Sequence, residues 1–148
     1  MKQVCRSALV PFDAAQMFKL INDIESYPEF LPWCSQAEVF ADSYDPGASG
    51  EVRAALTIKR SRMQERFETL NRAKFPEQIN VKLLQGPFRH LEGTWVFVPL
   101  GELGCKTKLT LNYEMSGTLL DGILAGVVKK TVNSVVDAIV ERAHKLYG

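Results

Sequence analysis

Two hydrophobic periods divide the chain. From Ser35 to Met115 apolar residues recur at every second position, and in the stretches around Ala14–Ile24 and after Gly117 they recur at three- and four-residue spacing. The last stretch is the most strongly patterned. Leu120, Ile123, Leu124, Val127, Val128, Thr131, Val132, Val135, Ile139, Ala143 and Leu146 form one broad stripe, and Lys129, Lys130, Asp137, Glu141, Arg142 and Lys145 fall mostly opposite. The pattern predicts a helix over Gly117–Tyr147, about 45 Å long at 1.5 Å per residue. A stripe of that length needs a broad surface to lie on. Gly117, Gly122 and Gly126 interrupt the first turns, each costing about 1 kcal/mol relative to Ala. They read either as points of close packing or as an adjustable lid.

The alternating stretch supplies the surface. Val52, Ala54, Leu56 and Ile58 alternate with polar residues, as do Phe67, Thr69 and Asn71, then Ile79, Val81 and Leu83. Leu91, Gly93, Trp95 and Phe97 follow, then Cys105, Thr107, Leu109, Leu111 and Tyr113. Turn chemistry stands between the runs at Asp45-Pro46-Gly47, Lys59-Arg60-Ser61-Arg62, Phe75-Pro76-Glu77, Gly86-Pro87 and Gly101–Gly104. Short turns between alternating runs predict an antiparallel meander with one face wet and one covered. Ahead of it, Lys2–Val10 reads as a strand stopped by Pro11. Asp13 with Gln16 three residues on is a capping box, and Phe12 with Met17 has staple spacing. That helix buries Ala14, Met17, Phe18, Ile21 and Ile24. A second short helix is expected from Ser26, with Glu29 at the box position and Pro32 ending it.

The order is therefore strand, two helices, about six strands and a long helix: an α+β chain of about seven strands curled around its terminal helix. Room between sheet and helix would be lined by Phe67, Leu83, Trp95, Phe97, Leu109, Leu111 and Tyr113, with Leu120, Leu124 and Val128 facing them from the helix.

Composition narrows the class. The 148 residues read as a single domain over 1–148, with 46% hydrophobic and 24% charged residues, enough to build a core without disulfide or metal. A net charge of +1 argues against a strongly electrostatic polyanion binder while leaving room for a local basic patch. Cys5, Cys34 and Cys105 lack CxxC spacing, which suits reduced thiols in a cytoplasmic protein. The first residues carry no signal-peptide core. The longest apolar run, Leu119 to Val128, contains Asp121 and two glycines and is too short to span a bilayer.

Three segments resemble a known family. Ala8-Leu9-Val10-Pro11-Phe12, Tyr27-Pro28-Glu29-Phe30-Leu31-Pro32-Trp33-Cys34 and Gly86-Pro87-Phe88-Arg89-His90-Leu91-Glu92-Gly93-Thr94-Trp95-Val96-Phe97 are similar to the START-like, helix-grip superfamily, in its coenzyme Q-binding, RatA-like bacterial branch. With Tyr113 and the terminal helix, the resemblance spans nearly the whole chain. It implies the START/Bet v 1-like fold and a hydrophobic cavity. It also implies binding of ubiquinone or a similar isoprenoid lipid, with no required cofactor and a link to respiration. The ribosomal branch implies instead a ribosome-association toxin that binds the large ribosomal subunit and blocks subunit joining. Some relatives are polyketide cyclases.

Catalytic signals are sparse. His90 and His144 lie in different elements without metal-ligand spacing, and neither a phosphate loop nor a nucleophile elbow is present. A cyclase would need polar groups in the cavity, and Glu51, Arg53, Glu65, Asn71 and Tyr113 are the candidates. A one-residue slip would turn each outward, where Arg53 and Glu65 form a surface pair. The expectation is a binding protein without catalytic residues or a metal. Tyr27, Phe30, Leu31, Trp33 and Phe88 either seal one end of the core or form a cavity mouth, where stiff aromatic rings would meet a flat quinone head or a membrane surface at the cell's inner membrane. The basic residues Lys59, Arg60, Arg62, Arg66, Arg72, Lys74, Lys106 and Lys108 read either as a solvated sheet face or as RNA contacts.

Overall fold

The computed structural model describes residues 1–41, 44–60, 63–115 and 121–148, with backbone alone at 60, 63 and 121–125. Seven strands form one antiparallel sheet: β1 (Lys2–Val10), β2 (Cys34–Phe40), β3 (Gly50–Arg60), β4 (Met63–Lys74), β5 (Gln78–Gln85), β6 (Phe88–Pro99) and β7 (Cys105–Met115). Their order is β1-β7-β6-β5-β4-β3-β2. The last six make the expected meander, while β1 pairs with β7 and so takes the edge opposite β2. The chain crosses from one edge to the other through helix α1 (Ala14–Asn22) and a 3-10 helix (Ile24–Glu29). This is the α+β helix-grip architecture, with helix α2 (Asp121–Tyr147) as the gripped element.

Alternation works strand by strand. Gly93, Trp95 and Phe97 of β6 face inward beside Leu109 and Thr107 of β7, with Trp95 opposite Leu109 and Phe97 opposite Thr107. The core joins these to Met17, Phe18 and Ile21 of α1 and to one stripe of α2. That stripe differs from the expected one. Val128, Val132, Val136, Ile139 and Ala143 are buried, whereas Val127 and Leu146 are exposed. A run spaced 4, 4, 3 and 4 is the straighter ridge, and Val136, absent from the expected set, occupies its centre. Of the three interrupting glycines, Gly126 is exposed, and a Cβ there would meet nothing within 4 Å. Close packing does not require glycine at that position. Gly117 lies outside the described residues, and only the backbone of Gly122 is described.

At α1 the capping box is present in both directions. The Gln16 amide donates to Asp13 Oδ1 at 2.8 Å, and the Asp13 amide donates to Gln16 Oε1 at 3.0 Å. Phe12 packs its ring against α2, 5.0 Å from His144 and 5.8 Å from Tyr147. The second short helix starts earlier than expected. Asp23 precedes its first residue and makes no side-chain cap, and the Ser26 hydroxyl donates to Asp23 Oδ2 at 2.6 Å from inside the turn. Ser26 looks like a cap in sequence because serine bonds backward as readily as forward.

One ion pair ties the sheet edge to the helix. Arg6, pointing inward from β1, donates to the Asn133 carbonyl at 3.1 Å and pairs with Asp137 at 2.6 Å. Cys34 and Cys105 are buried, and burial pushes both thiols above their ordinary range, while Cys5 is exposed. Gly104, between β6 and β7, adopts φ +123°, and a Cβ there would fall 1.9 Å from the Val10 carbonyl oxygen. Gly104→Ala should therefore destabilise the fold by about 3 kcal/mol or more, read as a drop in the urea midpoint. An unchanged midpoint would mean that this turn does not approach β1 as described.

Candidate functional site

A cavity of about 360 Å3 lies between the concave sheet and α2. It opens because α2 packs over β1 and β7 and leaves β3, β4 and β5 facing it across a gap. Leu56 and Ile58 of β3, Phe67 of β4, Val81 and Leu83 of β5, and Leu91 and Trp95 of β6 form the sheet wall. Val127, Val128, Thr131, Val132, Val135 and Ile139 form the helix wall. Each strand presents the residues of one parity, so the wall follows from period-two patterning.

Most expected lining residues stand on this wall: Phe67, Leu83, Trp95, Leu109, Leu111 and Val128. Two do not. Phe97 and Tyr113 face the same side but are built into the packed core, Phe97 with its ring 6.1 Å from Phe18 and Tyr113 with its ring 6.1 Å from Phe88. Leu120 lies outside the described residues, and of Leu124 only the backbone is described. The wall also includes Leu56, Ile58, Val81 and Leu91, which the expected set omitted although each sits in an alternating run.

Tyr27, Leu31, Trp33 and Phe88 also line the cavity. Phe88 follows the Gly86-Pro87 turn and bridges Phe67, at 6.2 Å, to Tyr113. Phe30 departs from the expected mouth. It turns away toward α2, where the Arg142 guanidinium stands 5.3 Å from its ring, and lines a separate surface depression. The Tyr27 hydroxyl donates to the Ile21 carbonyl, and burial pushes it well above the usual phenol range.

Polar groups are few on this wall. Of the five inward candidates, Asn71 is buried there and Tyr113 is in the core. Glu51 and Arg53 are on the outer face, Glu51 paired with Arg72 at 2.7 Å and Arg53 with Glu68 at 4.0 Å, and Glu65 is exposed. Described residues contribute no Asp, Glu, Lys, Arg or His to the wall. Its single ionisable group, Tyr27, is held protonated with its proton already donated. The arrangement can hold an apolar molecule. No cluster of metal-ligating side chains occurs among the described residues.

The candidate RNA contacts do not form one patch. Arg66 is 3.3 Å from Glu68 and 5.9 Å from the Phe40 ring, Arg72 is held by Glu51, and Lys74 by Glu77 at 3.0 Å. Lys59 is on β3 and Lys106 and Lys108 on β7, four strand positions apart, which is about 20 Å at the usual strand spacing. Arg62 lies outside the described residues, as does the side chain of Arg60.

An apolar void between a curved antiparallel sheet and a long helix defines a START-like class of fold. The chain belongs to the polyketide cyclase / dehydrase and lipid transport family, whose model matches residues 10–140. It is 40% identical over 143 residues to the ribosome association toxin RatA of Pseudomonas aeruginosa, covering 97% of this chain and 96% of that protein. It is 29% identical over 147 residues to the mitochondrial coenzyme Q-binding protein COQ10 homolog B of Xenopus laevis, covering 96% of this chain and 58% of that protein. The crystal structure of the ZhuI aromatase/cyclase of Streptomyces sp. R1128 superposes with a TM-score of 0.83 at 16% identity, covering 97% of this chain and 94% of that one. No helix among the described residues is long and apolar enough to cross a membrane.

Trp95 belongs to both wall and core, being 6% exposed. Trp95→Ala should enlarge the cavity and lower stability by about 3–5 kcal/mol, measured by urea unfolding. A loss under about 1 kcal/mol would mean the wall collapses to fill the space.

Proposed function

We propose that this protein binds an isoprenoid lipid, with ubiquinone the leading candidate, in the cavity between sheet and α2, and acts as a carrier rather than a catalyst. The observation that supports this reading is the cavity itself: about 360 Å3, walled almost wholly by aliphatic and aromatic side chains. That volume lies within the range of small-molecule sites, roughly 300–1,000 Å3. A quinone head and its first isoprene units would fill it, and a longer tail would leave by the mouth at Tyr27, Trp33 and Phe88. Among the described residues the wall carries no Asp, Glu, Lys, Arg or His, which favours binding over chemistry. The name of the Xenopus laevis relative supports the same ligand class. A carrier of this kind works from the cytoplasm and collects its cargo by contact with the inner membrane.

A second reading is association with the large ribosomal subunit. It is favoured by full-length likeness to proteins named ribosome association toxins, such as the one from Pseudomonas aeruginosa. Lys106 and Lys108 on β7 and the exposed Lys129 and Lys130 on α2 make no ion pair among the described residues and are free to meet phosphates. The two readings use different surfaces and are compatible in one molecule.

Two experiments separate them. Lipids extracted from natively purified protein and identified by mass spectrometry should include an isoprenoid quinone. Gly93→Leu should abolish the signal without unfolding the chain. Gly93 is a buried wall residue with room for a Cβ, the nearest atom being 3.4 Å away on Leu111, and a larger side chain must enter the void. A folded Gly93→Leu protein that still carries the lipid would place the ligand elsewhere. For the ribosome, the wild-type protein should co-sediment with large subunits at low salt and lose affinity steeply as salt rises. Lys59, Arg60 and Arg62 changed together to Ser would test the β3–β4 hairpin as the contact. Failure to co-sediment at any salt would remove the second reading.

A further inference from the structure

The cavity wall carries five polar side chains among the described residues: Tyr27, Trp33, Thr69, Asn71 and Thr131. Three have spent their protons inside the protein. The Tyr27 hydroxyl donates to the Ile21 carbonyl, the Thr131 hydroxyl to the Val127 carbonyl at 2.8 Å, and the Thr69 hydroxyl to Asn71 Oδ1 at 2.7 Å. The last bond fixes a carboxamide. With Oδ1 turned to Thr69, the Nδ2 protons of Asn71 point the other way, and no acceptor for them occurs among the described residues. Asn71 is 5% exposed, and its ladder neighbours on β3 and β5 are Val52 and Val81. A buried amide donor facing an apolar void is costly unless something accepts from it.

We propose that Asn71, oriented by Thr69, is a carbonyl-reading subsite: its Nδ2 donates to the carbonyl oxygen of an otherwise apolar ligand. This rests on the cavity being a ligand site and names the chemistry of the ligand more closely. The class is an apolar ketone, quinone or ester rather than a pure hydrocarbon. The pair sets the ligand's position along the void as well as its identity, because one directional bond in an apolar chamber fixes which end of the molecule goes where. Trp33 is not part of this subsite. Its indole Nε1 is buried without a partner, but its carbonyl accepts from the Lys59 amide, at the far end of β3 from Val52. That separation is roughly 20 Å of strand, too far for one oxygen to serve both donors.

The test uses a matched pair of probes, benzophenone and diphenylmethane, which differ by the carbonyl oxygen. Each displaces N-phenyl-1-naphthylamine from the full-length protein, followed by dye fluorescence. Asn71→Leu removes the donor and keeps a similar volume. It should weaken benzophenone about ten-fold while leaving diphenylmethane unchanged or tighter. Thr69→Val leaves Asn71 in place but frees its carboxamide to turn, and should weaken benzophenone about three-fold. Retained diphenylmethane affinity shows that each variant keeps a folded cavity. If Asn71→Leu fails to fold, the Thr69→Val ratio decides. An unchanged ratio of the two affinities overturns the subsite and leaves the cavity reading standing. Failure of both probes to displace dye from the wild type overturns the cavity reading, and the subsite falls with it; failure of benzophenone alone overturns the subsite.

Discussion

A seven-stranded sheet is about 29 Å wide at 4.8 Å per strand, and one helix is about 10 Å across. That mismatch governs this molecule. The sheet must curl to cover its apolar face, yet α2 can cover only part of it. It covers the β1–β7 edge, where its buried stripe packs and Arg6 on the inner side of β1 holds Asn133 and Asp137. The concave residues of β3 and β4 are left without a helical partner. Helix α1 packs against β5, β6 and β7 and the 3-10 helix against β2, and neither fills the gap before β3 and β4. The cavity is the remainder of this covering problem, and its apolar character follows from the same residues that drive the sheet to curl.

Much of this was legible along the chain because it depends on local rules. The Asp13–Gln16 box, the turn residues and the parity of β3 through β7 each leave a signature within a few positions. What was not legible depends on two elements meeting. Parity puts Phe97 and Tyr113 on the same face as Trp95 and Leu109, but only the placement of α1 and α2 decides which of them pack and which face a void. Phe97 meets Phe18 of α1, and Tyr113 meets Phe88 across a bulged register. The same limit explains Phe30, which looks like its neighbours Tyr27 and Trp33 until Arg142, more than a hundred residues away in sequence, claims its ring. Parity did contain an answer for Glu51 and Arg53. They share a register with Ala55 and Thr57 rather than with Ala54 and Leu56, which puts them outside.

The outer face shows how a basic sequence stretch loses part of its free charge to local ion pairs. Glu68 stands between Arg53 and Arg66, and Glu51 opposite Arg72, so three arginines of the β3–β4 hairpin face acidic partners. Exposed pairs of this kind contribute little to stability, roughly 0–1 kcal/mol each. They matter more for what they withhold from a polyanion. The lysines outside these pairs are spread over β3, β5, β7 and α2, at Lys59, Lys82, Lys106, Lys108, Lys129 and Lys130 among others. A family fold that serves carriers and cyclases alike keeps its binding chemistry inside, and its outer surface is free to vary with partner.

The edge position of β1 has a consequence for how the protein is made. Lys2 pairs with Tyr113, and Arg6 with Asp137, so the first strand finds its partners only after nearly the whole chain exists. Non-local pairing of this kind slows folding. During synthesis the β2–β7 meander can assemble in order as it emerges, but it does so as an open sheet with its apolar face uncovered and β7 as a raw edge. Closure comes last, when β1 zips onto β7 and α2 is captured. Until then the nascent chain is at its stickiest, and a chaperone or a lipid that shields the concave face would act on it at that moment, before a cavity exists to be filled.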